Sequence, residues 1–240
     1  MTPGPSTINP EKPIKTWLMR FLSWRYQHKY TFNFIAIIAF LILLPLLSDN
    51  SVAQVFIDVL IIVVLIFAVH AISDHLTTLA AGVVMAVTAV VLDVLYYLSG
   101  LMKYYHSSVI VALVFFAFVA IVIFSGVIRE RDITLDTIAG ALSVYFLMGI
   151  SWAFAILALE TASPGSFNTV VIGGNTLNHL SDYIGYSFSV LTTTGNYNVS
   201  ALTSTARMMM MFEMIIGTLY IAVLISWLVG RFISHSNINR

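Results

Sequence analysis

Apolar residues come in long runs along this chain. Five of them, at residues 31–47, 52–69, 76–98, 107–128 and 138–159, approach the roughly 20 residues that a helix needs to cross a bilayer. A sixth, at 204–233, is long enough to cross with tilt or to project beyond the membrane. Between the fifth and sixth lies a stretch, 161–203, rich in Gly, Ser, Thr and Asn. Its apolar part around 183–191 is too short to cross, which suits a half-helix that enters the bilayer and turns back. Irregular backbone at that depth is tolerated only where protein buries it or where it lines a wet cavity.

Composition agrees with a membrane setting. Charged residues make up 9% of the chain and hydrophobic ones 59%, where a soluble domain carries about 25% charge. The net charge is zero, so nothing points to nucleic acid as a partner. The absence of cysteine excludes disulfides, thiolate metal sites and cysteine nucleophiles. About 30 polar and basic residues precede the first apolar run, unlike a cleavable signal peptide.

The Lys/Arg distribution predicts orientation. With the N-terminus inside, Lys12, Lys15, Arg20, Arg25, Lys29, Arg129, Arg131, Arg231 and Arg240 are cytosolic, and only Lys103 and Arg207 fall outside. An even number of spans then leaves both termini in the cytoplasm, and the expected location is the cell membrane. Trp17, Leu18, Phe21 and Trp24 recur near helical spacing among Arg20, Arg25 and Lys29. That suits a helix lying on anionic lipid headgroups; an ordinary basic flank explains it equally well.

Residues 109–128 carry no charge, so a voltage sensor with arginines at every third position is not expected there. Three acids do lie inside runs: Asp58, Asp93 and Glu213. Each is costly unless partnered. Asp58 and Asp93 fall in the outer half, where they face one another or water. Glu213 is read as a strut that bonds the loop before it, with pairing to another buried polar group as the alternative. His70, Asp74 and His75 lack a fourth ligand and are weak evidence for a metal.

Thr192-Thr193-Thr194-Gly195 after the 183–191 run, then Ala206-Arg207 and a last helix with Glu213, Gly217 and Leu228-Val229-Gly230, resembles the pore module of potassium channels. The resemblance extends back through Gly140-Ala141, Val144-Tyr145-Phe146 and Pro164-Gly165-Ser166-Phe167, over about residues 136–233. It is nearest to bacterial six-helix members of the two-helix-pore ion channel family. It implies an all-α fold of six spans plus a re-entrant pore helix and filter loop, assembled as a homotetramer. Residues 1–30 would form a basic cytosolic segment, 31–130 a four-helix scaffold and 131–240 the pore domain. The filter would comprise Thr192, Thr193, Thr194, Gly195, Asn196, Tyr197 and Asn198, supported by Glu213 and Arg207. Hydroxyls and carbonyls there replace the hydration shell of a permeant monovalent cation, K+ or Na+. No other cofactor and no enzymatic activity are implied.

The departures matter too. The family's filter reads threonine, a small apolar residue, glycine, an aromatic, then a second glycine. Here the equivalent positions are Thr193, Thr194, Gly195, Asn196 and Tyr197. A tyrosine forced to positive φ is an outlier, so the upper filter is not expected to keep the usual shape, and potassium selectivity is expected to be weak. A one-residue shift instead places Asn196-Tyr197-Asn198 on the Gly-aromatic-Gly triplet, since asparagine tolerates the left-handed region; that reading allows a potassium-selective pore. Gly217, mid-helix, reads as a hinge or as a close-packing site. A pore homologue that conducts nothing and acts as a regulatory subunit is the main alternative. A secondary transporter would show internal repeats, and an intramembrane enzyme a nucleophile with its base; neither is visible.

Overall fold

The computed structural model describes residues 29–47, 76–130, 133–168, 180–195 and 199–238. Helix dominates these residues. In chain order they form α1 (Lys29–Leu47), α2 (Leu76–Ser99), α3 (Met102–Arg129), α4 (Leu135–Ala162), β1 (Phe167–Asn168), α5 (Leu180–Leu191), β2 (Ser200–Ala201) and α6 (Ser204–Ile238). Four stretches, α2, α3, α4 and Ser204–Trp227 of α6, are long and apolar enough to cross a membrane. The apolar part of α1, Lys29–Leu44, is shorter. Relative to the sequence reading, α3 begins at Met102 rather than 107 and α6 continues to Ile238 rather than 233. The 52–69 run with Asp58, the segment carrying Trp17 to Trp24, and His70, Asp74 and His75 lie outside the described residues.

Capping chemistry sets where α4 starts. Thr134 takes the N-cap position, its hydroxyl accepting from Thr137 N while Thr137 Oγ1 accepts from Thr134 N. This closes a reciprocal box around two otherwise orphaned donors. Asp136 sits in the first turn, at the positive end of the helix dipole. It also serves a second helix. Its Oδ1 accepts from Thr31 N at 2.8 Å and from Thr31 Oγ1 at 2.7 Å, and its Oδ2 from Tyr30 N at 3.5 Å. The N–H groups of Tyr30 and Thr31, in the first described turn of α1, are therefore bonded from α4.

Around this junction the helices pack closely. A Cβ added at Gly140 would meet Val127 Cγ2 at 2.7 Å and the Tyr30 ring at 3.0 Å, so the tyrosine lies where a larger residue would stand. The core runs outward from α4, with Ile37, Phe40 and Leu44 of α1, Phe115, Phe116 and Ile123 of α3, and Leu147 and Ile150 of α4 all buried. Phe116 stacks on Phe154 at 5.5 Å. Half of the α4 span is buried against 6% of the α2 span. Thus α4 is the central helix, and α2 leaves Val84, Val87, Val91, Val94 and Leu98 exposed. Such a continuous apolar face is unfavourable in water and suited to hydrocarbon.

Asp136→Ala removes the acceptor for the start of α1. Buried hydrogen bonds to a charged group are worth about 1.5–3 kcal/mol, so thermal unfolding in detergent is expected at lower temperature, with Asp136→Asn intermediate. A melting temperature equal to wild type would show that these bonds hold nothing.

Candidate functional site

Twelve residues make α5 about 18 Å long, well short of the roughly 30 Å hydrocarbon core. It packs between α4 and α6, burying Tyr183, Ile184, Tyr186, Ser187, Val190 and Leu191. Two glycines set how closely. A Cβ at Gly149 of α4 would meet the Phe188 ring at 2.7 Å, and one at Gly217 of α6 would meet Leu191 O at 2.6 Å and Leu191 Cδ1 at 2.8 Å. Small residues let helix backbones approach in this way. An aromatic path, Phe34 to Phe146 at 5.9 Å and Phe146 to Phe188 at 5.6 Å, links α1 to α5 across α4.

One polar node ties the three elements together. Ser187 Oγ lies 2.7 Å from Gly149 O and 2.5 Å from Glu213 Oε1, its single O–H shared between the two acceptors. Glu213 is fully buried, and its Oε2 has no hydrogen-bond partner among the described residues. A carboxyl group in such surroundings is costly and persists where a specific contact holds it. Nearby, Tyr220 OH donates to Ala141 O at 2.6 Å and its ring stacks on Tyr145 at 5.9 Å. Tyr145 OH in turn points to Leu191 O at 3.5 Å.

The half-helix ends in a Schellman turn. Thr193 N donates to Val190 O at 2.9 Å and Thr194 N to Ser189 O at 3.0 Å, the paired pattern that closes a helix on a left-handed residue. That residue is Thr193, at φ 59°. Glycine is usual at this position, and a β-branched side chain there is strained. Gly195 follows at φ 60° with open space where a Cβ would stand. Thr192 Oγ1 donates to Phe188 O at 2.6 Å and lies 3.1 Å from Thr194 Oγ1, which donates to Ser189 O at 3.3 Å. Thr193 is exposed, and its hydroxyl forms no hydrogen bond among the described residues.

Of the residues singled out from sequence, Thr192, Thr193, Thr194 and Gly195 share this turn, and Gly217 lies directly behind it. Glu213 meets the body of α5 through Ser187, four residues before the end of the half-helix. Asn196, Tyr197 and Asn198 lie outside the described residues. Arg207 is exposed in the first turn of α6, its backbone N–H donating to Thr203 O at 3.0 Å. Asp93 is partly buried beside the Ser108 hydroxyl of α3. Among the described residues no three His, Asp or Glu side chains group as metal ligands.

Three contributors escaped the sequence reading. Glu160, at the end of α4, accepts from Gly165 N at 2.8 Å and Phe167 N at 3.0 Å, fixing the Ser163–Phe167 turn. A glutamate just before Ser-Pro-Gly was the available signal. Ser187 opens the run that leads into the threonines, and no spacing marks it as the partner of Glu213. The β1–β2 pair, with Phe167 opposite Ala201 and Asn168 opposite Ser200, is too short for any periodicity to reveal.

Thr193→Gly is expected to raise thermal stability, because the left-handed conformation costs an L-residue about 1–2 kcal/mol. A lower melting temperature would mean that the threonine side chain contributes more than its strain costs. Gly217→Ala is expected to destabilise by about 1–3 kcal/mol through overpacking against Leu191. A melting temperature equal to wild type would show that Leu191 yields to the added methyl group.

No family model, curated protein or solved structure matches this chain, so its functional reading rests on its own residues.

Proposed function

We propose that the chain forms a potassium-channel-like pore for monovalent cations, built as a homotetramer in the cell membrane. The observation that carries this reading is α5: a helix too short to cross, seated between two spanning helices and ending in a strained threonine turn. A single half-helix forms only one side of a pathway, so several copies around an axis are needed to enclose one. The negative end of the α5 dipole then faces the pathway and favours cations over anions. The Thr193 hydroxyl and neighbouring carbonyls supply oxygen ligands to a dehydrating ion.

In this reading Glu213 and Ser187 keep the half-helix at its depth, and Arg207 stands at the outer mouth. Both termini are cytoplasmic, as the basic residues favour, and the basic N-terminal segment meets anionic lipid. Asn196 replaces the aromatic and Tyr197 the second glycine of a potassium filter, with Asn198 where an aspartate is usual, so discrimination between K+ and Na+ is weak.

Reversal potential in planar bilayers, with purified protein and K+ opposed to Na+, tests this. Single-channel steps reversing near zero are expected. Reversal near the potassium limit would leave the pore and overturn weak selectivity, favouring the shifted filter alignment. Silence at all voltages with intact tetramers would favour a non-conducting, regulatory homologue.

A further inference from the structure

His106 lies in the second turn of α3, at the end of the bundle where α4 terminates. Its ring joins the two helices. Nδ1 is 2.8 Å from Met102 O, one turn back in α3, and Nε2 is 2.6 Å from Thr161 O in the last turn of α4. Both partners are carbonyl oxygens, which accept and never donate. A neutral imidazole has one N–H and one lone pair, whereas the doubly protonated ring has two N–H donors. Only the protonated ring therefore satisfies both contacts. Thr161 O is also one of the carbonyls that a helix C-terminus leaves without an intrahelical partner, where a cation meets the negative end of the dipole.

Among the described residues, the surroundings supply little competing positive charge. Tyr105 of the same helix meets the His106 ring edge-on at 6.5 Å, and Tyr96 of α2 lies against Tyr105 at 5.2 Å. Asp93 of α2 acts on Tyr105 electrostatically, and Tyr183 of α5 is coupled to Tyr105, Glu160 and Asp182. Both Glu160 oxygens are engaged by Gly165 N and Phe167 N. Lys103 is the neighbouring cation, and its Nζ sits over the Tyr104 ring at 4.9 Å.

We propose that His106 is a proton-binding site whose protonated ring latches α3 to the last turn of α4. The latch is complete with the proton bound and loses one of its two bonds as pH rises through the imidazole's titration, ordinarily near 6.5. Thr161 leads directly into the turn held by Glu160 and then into β1, so the state of the latch is felt at the neck of the re-entrant segment. The latch itself does not require ion conduction; its bearing on a pore, and its facing the outside, rest on the function proposed above.

The test uses the full chain in lipid nanodiscs, with ring nitrogens of the six histidines labelled for 15N NMR. The signals missing from His106→Gln identify His106; His106→Asn serves if that variant does not fold. At about pH 5 both ring nitrogens should be protonated, and wild type should melt about 2–4 °C above the variant, the shift expected for one net hydrogen bond. Near pH 8 the neutral ring keeps one of the two bonds, so the difference should shrink clearly. An unprotonated ring nitrogen at about pH 5, or a melting difference independent of pH, overturns the proposal. Neither readout needs current, so a silent bilayer leaves the latch standing and a failed latch leaves the pore reading standing.

Discussion

The seating of α5 depends on the Ser187 hydroxyl, placed between the Gly149 carbonyl of α4 and the Glu213 carboxyl of α6. Packed between α4 and α6, the buried face of this twelve-residue helix has little solvent for its polar groups. It survives there only if protein supplies both close packing and polar partners. Gly149 and Gly217 provide the first by letting Phe188 and the Leu191 carbonyl come within contact of their backbones. Ser187 provides the second at the middle of the half-helix, and the Schellman turn at Thr193 uses up the carbonyls of Ser189 and Val190 at its end.

The same economy appears at α4, which caps itself through Thr134 and Thr137 and bonds to α1 through Asp136. At its far end Glu160 holds the next turn and Thr161 O receives His106. One helix thus organises polar contacts at both of its ends while its middle carries the apolar core. Among the described residues α2 makes fewer such contacts, chiefly Asp93 beside Ser108 of α3, and leaves its apolar face exposed.

The long helices were legible because an apolar run of sufficient length needs no partner to be recognised, and the half-helix because its run was too short to cross. The threonine turn was legible as a breaker followed by glycine. The left-handed threonine was not, since propensity places that conformation on Gly195 and the helix-closing bonds put it on Thr193 as well. Asp136, Glu160 and Ser187 were hidden for a common reason: each acts on a backbone or side chain brought near by folding, and a single polar residue in a sequence does not announce its distant partner. Glu213 stood out because a carboxyl inside an apolar run is costly, yet its contact with Ser187, four residues short of the helix end, required coordinates.

The two-residue pairing of β1 with β2 brings Phe167 and Ala201 side by side. Everything between them, including α5 and its turn, is therefore an excursion that leaves and returns at one point. For such a closed loop the entropy of joining its ends grows only slowly with length. The pairing fixes where the chain leaves α4 and where it rejoins α6, so α5 is held at both of its approaches by one short ladder. Between those two approaches α5 itself stays pinned by its contacts with α4 and α6.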